Sequence, residues 1–313
     1  KVITIKGEID AIEIKNDFTE VTIKESKLKK NILNIKKEVL DKILDLFKVN
    51  LNNKKEIVLN CIDDEPYILT ESFYLFLEYT NFLEVLDKLS DIYKLQISIA
   101  VKASNNFSIN ELMNYLGMYT NIKLEIIPNL YLLGNNKLLL KHLGLEEKDT
   151  EVIKASNFYH ISNFIKKGRL KTDQLITISG NNIVNSSIIR VKIGTSLKEV
   201  FKSIKGLGNS SIFIVNGLMS GKEIDINNLV ITNDLTGILV IKKETIEKAY
   251  KKEEKCLNCG ACIDVCPVGI NPLLLKEKNY KEKNKCLKCG LCSYICPVYI
   301  NFNYSDIEGD NND

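Results

Sequence analysis

"EIVLNCIDDEPYILTESFYLFLEYTNFLEVLDKLSDIYKLQISIAVK", Glu56 to Lys102, decides the fold. "EIVLN" is a short apolar run of the kind that makes a buried strand. From Thr70 to Leu95 apolar side chains recur three and four apart, the spacing of a helix that packs along one stripe. "QISIAVK" then reads as a second strand. The alternation continues outward. "SINELMNYLGMY" (Ser108 to Tyr119) predicts a helix capped by Ser108, with Glu111 three residues on as in a capping box. "NIKLEIIP" is a strand, "NNKLLLKHLG" a helix stopped by Gly144, and "TEVIKASNFYHISNFIKKG" carries the pattern to Gly168. Strand alternating with helix predicts a parallel sheet covered on both faces.

After Gly168 the texture changes. "DQLITISGNNIVNSSIIRVKIGTSLKEVFKSI", "SSIFIVNGLMSGKEI" and "LTGILVIKK" predict a small mixed β unit with one short helix, ending near Lys243. A charged helix, "ETIEKAYKKEEK", leads to the cysteines, and the polar tail "SDIEGDNND" is expected to fray.

Eight of the nine cysteines fall in two matching blocks, "CLNCGACIDVCP" (Cys256 to Pro267) and "CLKCGLCSYICP" (Cys286 to Pro297). Each is C-x2-C-x2-C-x3-C-P. The x2 spacings let three thiolates wrap one Fe–S cube from a tight loop, while the fourth, expected at the start of a short helix, reaches the neighbouring cube. This predicts two [4Fe–4S] clusters. Cys256, Cys259, Cys262 and Cys296 would hold the first, and Cys286, Cys289, Cys292 and Cys266 the second. Gly260 and Gly290 stand where a loop passes close to inorganic sulfide. Zinc ribbons use paired C-x2-C and need neither a third Cys at x2 nor a Pro after each block. Eight thiolates leave no open coordination position, so the blocks by themselves describe an electron carrier.

The remaining composition is permissive. A net charge of +3 with dispersed lysines, as in "KESKLKK" (Lys24 to Lys30), argues against nucleic acid. No apolar run is long enough to span a bilayer and no signal-peptide pattern opens the chain. Regularly spaced cysteines are then expected as metal ligands in a reducing compartment. Cys61 reads as a buried small hydrophobe with a lesser reading as a redox thiol. His142 and His160 read as surface or helix-end residues, and the Tyr and Phe side chains as core.

The order of units resembles the C subunit of the Rnf electron-transport complex (RnfC), a family related to the NADH-binding flavoprotein subunit of respiratory complex I. "LNCIDDEPYI" (Leu59 to Ile68) resembles the family's "INGAECEPYI", with Asp63 and Glu65 at its two acidic positions. "IPNLYLLGNNKLLLKHL" (Ile127 to Leu143) resembles "VPxxYPxGxEKxLIxxL", matching at Gly134 and Lys137, with Asn136 where the family has Glu. "LITISGNNIVNS" and "VNGLMSG…TGILVI" resemble its soluble-ligand-binding β-grasp (SLBB) domain. "IKGEIDAIEIKND" resembles the tail of its leading β domain, so a divergent member shortened at the N-terminus is expected. The resemblance implies four units: a β remnant over 1–30, an α/β domain over 31–167, an SLBB-like β-grasp over 168–243 and a ferredoxin-type module over 244–313.

It also implies hydride acceptance from NADH on FMN, with Asp63, Glu65, Gly134 and Lys137 as a remnant of that site. The family's "GLGGAGFPT" segment brings backbone amides against phosphates. Here its place is taken by "EVLDKILDLFKVNLNNKKEIVLN" (Glu38 to Asn60), and no glycine occurs between Gly7 and Gly117, which argues against FMN and NADH. Asp63, Asp64 and Glu65 also read as a polar strand-to-helix turn set by Pro66. Three functions follow: a cluster-bearing relay with degraded nucleotide binding, an NADH-oxidising peripheral subunit of an ion-translocating Rnf complex, or a soluble adaptor for a dedicated reductase of the proline- or cobalamin-reductase type. Partners are redox proteins, either membrane Rnf subunits or a soluble reductase, at a cytoplasmic location or on the cytoplasmic membrane face.

Overall fold

The structure is a computed structural model that describes residues 12–14, 21–23, 36–227, 229–249, 255–275, 277 and 280–302. Most of the expected N-terminal β remnant, the far end of the charged helix and the C-terminal tail lie outside these residues. Within the first, β1 (Ile12–Ile14) pairs antiparallel with β2 (Val21–Ile23).

The alternating region builds α1 (Lys37–Leu46), β3 (Glu56–Asn60), α2 (Thr70–Tyr93), β4 (Gln96–Lys102), α3 (Asn106–Leu116), β5 (Ile122–Ile127), α4 (Asn136–Leu143), β6 (Thr150–Lys154) and α5 (Ala155–Lys167). Its four strands are all parallel in the order β5-β4-β3-β6. Alternate side chains of β3 face opposite layers. Ile57 and Leu59 join Phe82, Leu83 and Leu86 of α2 and Phe158 of α5. Val58 joins Ala100 and the α4 residues Leu139 and Leu140 on the other face. Each fully buried Leu or Phe of this kind contributes about 1.5–3 kcal/mol, which outweighs the weak local propensity of any one segment. The chain runs outward from β3 to β5 and returns to lay β6 on β3's other side, so the order reverses between β3 and β6. Open α/β sheets form their ligand crevice at the carboxyl ends of strands flanking such a reversal.

The second sheet comprises β7 (Asp173–Ser179), β8 (Ser187–Lys192), β9 (Ser211–Val215), β10 (Lys222–Ile224) and β11 (Gly237–Lys242), in the order β10-β9-β11-β7-β8. β11 is parallel to β7 and the other pairings are antiparallel. With α6 (Leu197–Ser203) packing Leu197, Val200 and Phe201 against Ile176, Ile178 and Ile238, this is the β-grasp arrangement. Leu239 and Ile241, on the sheet's opposite face, pack on Ile68 at the approach to α2. Hydrogen bonds secure that seam. The Leu69 amide donates to Thr177 Oγ1 (3.1 Å), the Thr70 hydroxyl to the Thr236 carbonyl (2.6 Å), and the Tyr74 hydroxyl accepts from the Leu175 amide (2.7 Å).

Three local expectations need correction. The cap of α3 is Asn105, whose side chain accepts from the Ser108 amide (3.2 Å); Ser108 lies inside the helix, its hydroxyl buried without a partner. Glu111 instead accepts from the Tyr79 hydroxyl (2.9 Å). His160 is buried, because α5 is covered by α2. It lies beside the rings of Tyr159 and Tyr74, its Nε2 has no partner among the described residues, and burial depresses its pKa to about 3. His142 does sit in the last turn of α4. Finally, Tyr67, Phe76 and Phe107 are exposed rather than core, whereas Tyr74, Phe82 and Phe158 are fully buried.

Candidate functional site

The two cysteine blocks fold alike because their spacings are alike. In each, the residue two before the glycine and the glycine itself are left-handed: Asn258 (φ 54°) with Gly260 (φ 78°), and Lys288 (φ 52°) with Gly290 (φ 77°). These turns wind the first three cysteines into a tight loop. They also aim backbone amides at sulfur, since the Asn258 amide donates to Cys256 Sγ and the Lys288 amide to Cys286 Sγ, both at 3.4 Å. One helical turn follows each loop, α8 (Ala261–Asp264) after α7 (Lys243–Ala249), and α9 (Leu291–Ile295). The fourth cysteine therefore ends a helical turn instead of starting one, a correction that leaves its distance from the loop unchanged. The Cys296 thiol accepts from the Ile300 amide at 3.4 Å.

Among the described residues none of the eight cysteines is joined in a disulfide. Cys266, Cys286, Cys289 and Cys292 line one small cavity, backed by Ile270 and Leu275. Burial raises the Cys289 thiol pKa, and the neighbouring Cys292, Cys286 and Cys266 add to the rise. Cys286 is raised by burial with Cys266 beside it. The first block is more open. Cys256 and Cys259 are exposed, and Cys262 is raised by burial, with Cys292 and Cys256 adding to the rise. Among the described residues no three His, Cys, Asp or Glu side chains converge on a single ion. A cube carries its thiolates on separate corners, so this donor set, thiols around a walled cavity with amides aimed at sulfur, fits an iron–sulfur cluster.

The acidic residues after β3 are held by the chain's own donors. Asp63 caps α2, accepting from the amides of Glu71 (2.7 Å) and Ser72 (3.3 Å) and from the Ser72 hydroxyl (2.5 Å). Burial lifts its carboxyl to about 7 although those donors pull it down. Glu71, itself buried and raised for the same reason, accepts from the amide and hydroxyl of Ser156, both at 2.8 Å, and so caps α5. Between β3 and β6, Lys154 Nζ bonds Asp64 Oδ2 (2.8 Å) and the Gly134 carbonyl (2.8 Å). Gly134 is packed so closely on Asp64 and Ile62 that a Cβ would overlap both. Asn136 accepts from Asn60 Nδ2 (2.9 Å), while Lys137 points into solvent from the first turn of α4. Cys61 is buried, its thiol raised well above the usual range by burial. An open cleft lies alongside, lined by Asp63, Lys102, Asn105, Phe73 and Phe76, with Phe76 packed on Phe73 and Phe107 at ring separations of 5.5 and 4.9 Å.

Glu65 has a role that its local sequence does not announce. Its carboxylate accepts from the amides of Met219 (3.0 Å) and Ser220 (3.1 Å), the Ser220 hydroxyl (2.6 Å) and the Tyr131 hydroxyl (3.2 Å). The Tyr131 hydroxyl shares its one proton between Glu65 and the Cys289 carbonyl, which lies at 2.7 Å. Parallel sheet, second sheet and cysteine loop thus meet at one carboxylate. Sequence reasoning misses Tyr131 because it reads the Tyr and Phe side chains as core.

Residues 248–297 match the family model described as a 4Fe–4S dicluster domain. The chain is 25% identical over 235 residues to the C subunit of the ion-translocating oxidoreductase complex of Buchnera aphidicola subsp. Acyrthosiphon pisum, covering 71% of this chain and 49% of that protein. It is 26% identical over 233 residues to the C subunit of the proton-translocating ferredoxin:NAD(+) oxidoreductase complex of Clostridium ljungdahlii, covering 70% and 50%. The chain therefore spans about half the length of these curated relatives. Among solved structures, the NAD+-reducing [NiFe]-hydrogenase is similar in its air-oxidized state (TM-score 0.51, 11% identity) and its H2-reduced state (TM-score 0.54, 10% identity). Each alignment covers 65% of this chain and 43% of the other. At that identity the likeness is one of fold. Among the described residues no helix is long and apolar enough to cross a membrane.

Proposed function

Taking this RnfC-like chain with its 4Fe–4S dicluster domain as premise, we propose an electron-transfer protein that relays single electrons through two [4Fe–4S] clusters and has lost FMN and NADH binding. Cys256, Cys259, Cys262 and Cys296 hold the first cluster, and Cys286, Cys289, Cys292 and Cys266 the second. When bound, such clusters supply one-electron transfer at a potential tuned by hydrogen bonds and burial. The observation that carries the reading is the cavity walled by the four thiols of the second set, drawn from both blocks. The amides on Cys256, Cys286 and Cys296 would stabilise negative charge on sulfur.

Loss of the nucleotide site is supported by what fills the sheet's carboxyl edge. A phosphate is held by free amides at a helix N-terminus. At α2 and α5 those amides already serve Asp63 and Glu71. The Lys154–Asp64 pair and Gly134 occupy the gap between β3 and β6. These residues do not fit a flavin phosphate. The competing reading, an NADH-oxidising Rnf subunit, draws on the aromatic-walled cleft beside Asp63.

Anaerobically reconstituted protein should carry about eight iron and eight sulfide per chain. About half of that would sink the two-cluster reading. NADH should leave the cluster absorbance unbleached and no flavin should co-purify; rapid bleaching or stoichiometric FMN would favour the competing reading. The partner is a redox protein, a membrane Rnf subunit or a soluble reductase, and co-purification from the native host distinguishes them.

A further inference from the structure

The two cysteine blocks have nearly the same sequence and the same loop conformation, yet among the described residues only the second is gripped by the rest of the protein. In the first block, a Cβ on Gly260 would meet nothing among the described residues within 4 Å, and Cys259 is exposed. In the second, a Cβ on Gly290 would collide with the Met219 carbonyl, so the loop lies directly on the second sheet's 217–221 turn. The preceding carbonyl, of Cys289, takes the Tyr131 hydroxyl at 2.7 Å. The Cys289–Gly290 segment is therefore held from two sides, and both holds lead to Glu65. That carboxylate bonds Tyr131 and fixes the turn through Met219 and Ser220.

Resting on the electron-transfer reading, we propose that Glu65 and Tyr131 are positioning residues that seat the second cluster against the body of the protein and set its potential apart from that of the first. Seating comes from geometry: three hydrogen bonds from Met219 and Ser220 to Glu65, the single Tyr131 proton shared between Glu65 and the Cys289 carbonyl, and one backbone contact join three parts of the chain. Tuning comes from electrostatics. A hydroxyl donating to the carbonyl of a ligand cysteine polarises that peptide in the sense that favours added negative charge, and so raises the potential. The Glu65 carboxylate opposes added negative charge and lowers it. The first block, exposed at Cys256 and Cys259 and without these contacts among the described residues, keeps a potential set by solvent. The two acidic positions shared with the family are thereby separated in role: Asp63 caps a helix, and Glu65 joins the redox module to its support.

Redox titration followed by electron paramagnetic resonance on the full reconstituted chain tests this, with Cys256→Ser and Cys286→Ser used to assign the two signals. Tyr131→Phe should shift the second signal to lower potential and leave the first in place. Glu65→Gln should shift the same signal upward. Opposite directions at one centre are not what simple loosening of a loop produces. Selective loss of the second cluster's iron in Tyr131→Phe supports the seat equally. If Tyr131→Phe folds poorly, Ser220→Ala, which removes one donor to Glu65, should give a smaller downward shift of the second signal. Unmoved signals in protein that carries both clusters, or equal shifts of both, would overturn this proposal alone. Wild-type protein without a second cluster would overturn it together with the electron-transfer reading.

Discussion

Asp63→Asn separates a helix-capping carboxylate from one kept to contact a ligand. Burial raises the Asp63 carboxyl from 3.8 to about 7. The folded chain therefore holds a proton that the unfolded chain releases. Its contribution to stability is complete below the unfolded value and is lost as pH rises through the folded one. The slope is about 1.4 kcal/mol per pH unit across that window, and the sum, about three units at 1.36 kcal/mol each, is about 4 kcal/mol. The amide variant has no proton to lose. It still offers an oxygen to the Glu71 amide but turns an NH2 towards Ser72, at a cost of about 1 kcal/mol. The two stability curves should diverge with pH: variant and wild type about equally stable near pH 4.5, and the variant about 3 kcal/mol more stable at pH 8. Urea midpoints measured anaerobically from pH 4.5 to 8 read this directly. Taking the difference between variant and wild type cancels most of the contribution of Glu71, which burial also raises, and of His160. A difference that stays constant with pH would refute the reasoning, since it would mean that Asp63 titrates alike folded and unfolded.

His160 gives the opposite slope. Its pKa falls from 6.5 to about 3, so the stability it confers is present above 6.5 and is lost as pH drops towards 3. His160→Phe, which keeps a ring beside Tyr74 and Tyr159, should be more resistant to acid in the same urea series and little changed at pH 7.5. Gly260→Ala and Gly290→Ala make a matched pair with φ of 78° and 77°. The first should cost about 1–2 kcal/mol for the left-handed backbone alone. The second should cost more, because its Cβ also meets the Met219 carbonyl, and iron analysis should show the greater cluster loss in that variant. Phe82→Ala removes a fully buried ring packed edge-on to Phe158 at 5.1 Å and should cost about 3–5 kcal/mol by chemical denaturation, with no change in iron bound per folded chain.

The sequence by itself determined the layers and the cofactor chemistry. Apolar period separates strand from helix because each element meets the core on its own terms, so Glu56 to Lys102 could be read as strand, helix and strand without knowing its neighbours. Cysteine spacing works the same way: a tight loop is a local object, and its left-handed residues follow from the motif. Tertiary structure decided who meets whom. The cap of α2 comes from Asp63, outside the helix, and that of α5 from Glu71, 85 residues from its partner Ser156. Glu65 finds Met219 and Ser220 across 154 and 155 residues. His160 is buried because α2 packs on α5 and brings the Tyr74 ring beside it. A side chain's spacing reports the face of the element it sits on. Its hydrogen-bond partner is set by where distant chain comes back, and only the packed fold brings Glu65, Tyr131 and the Cys289 carbonyl to one point.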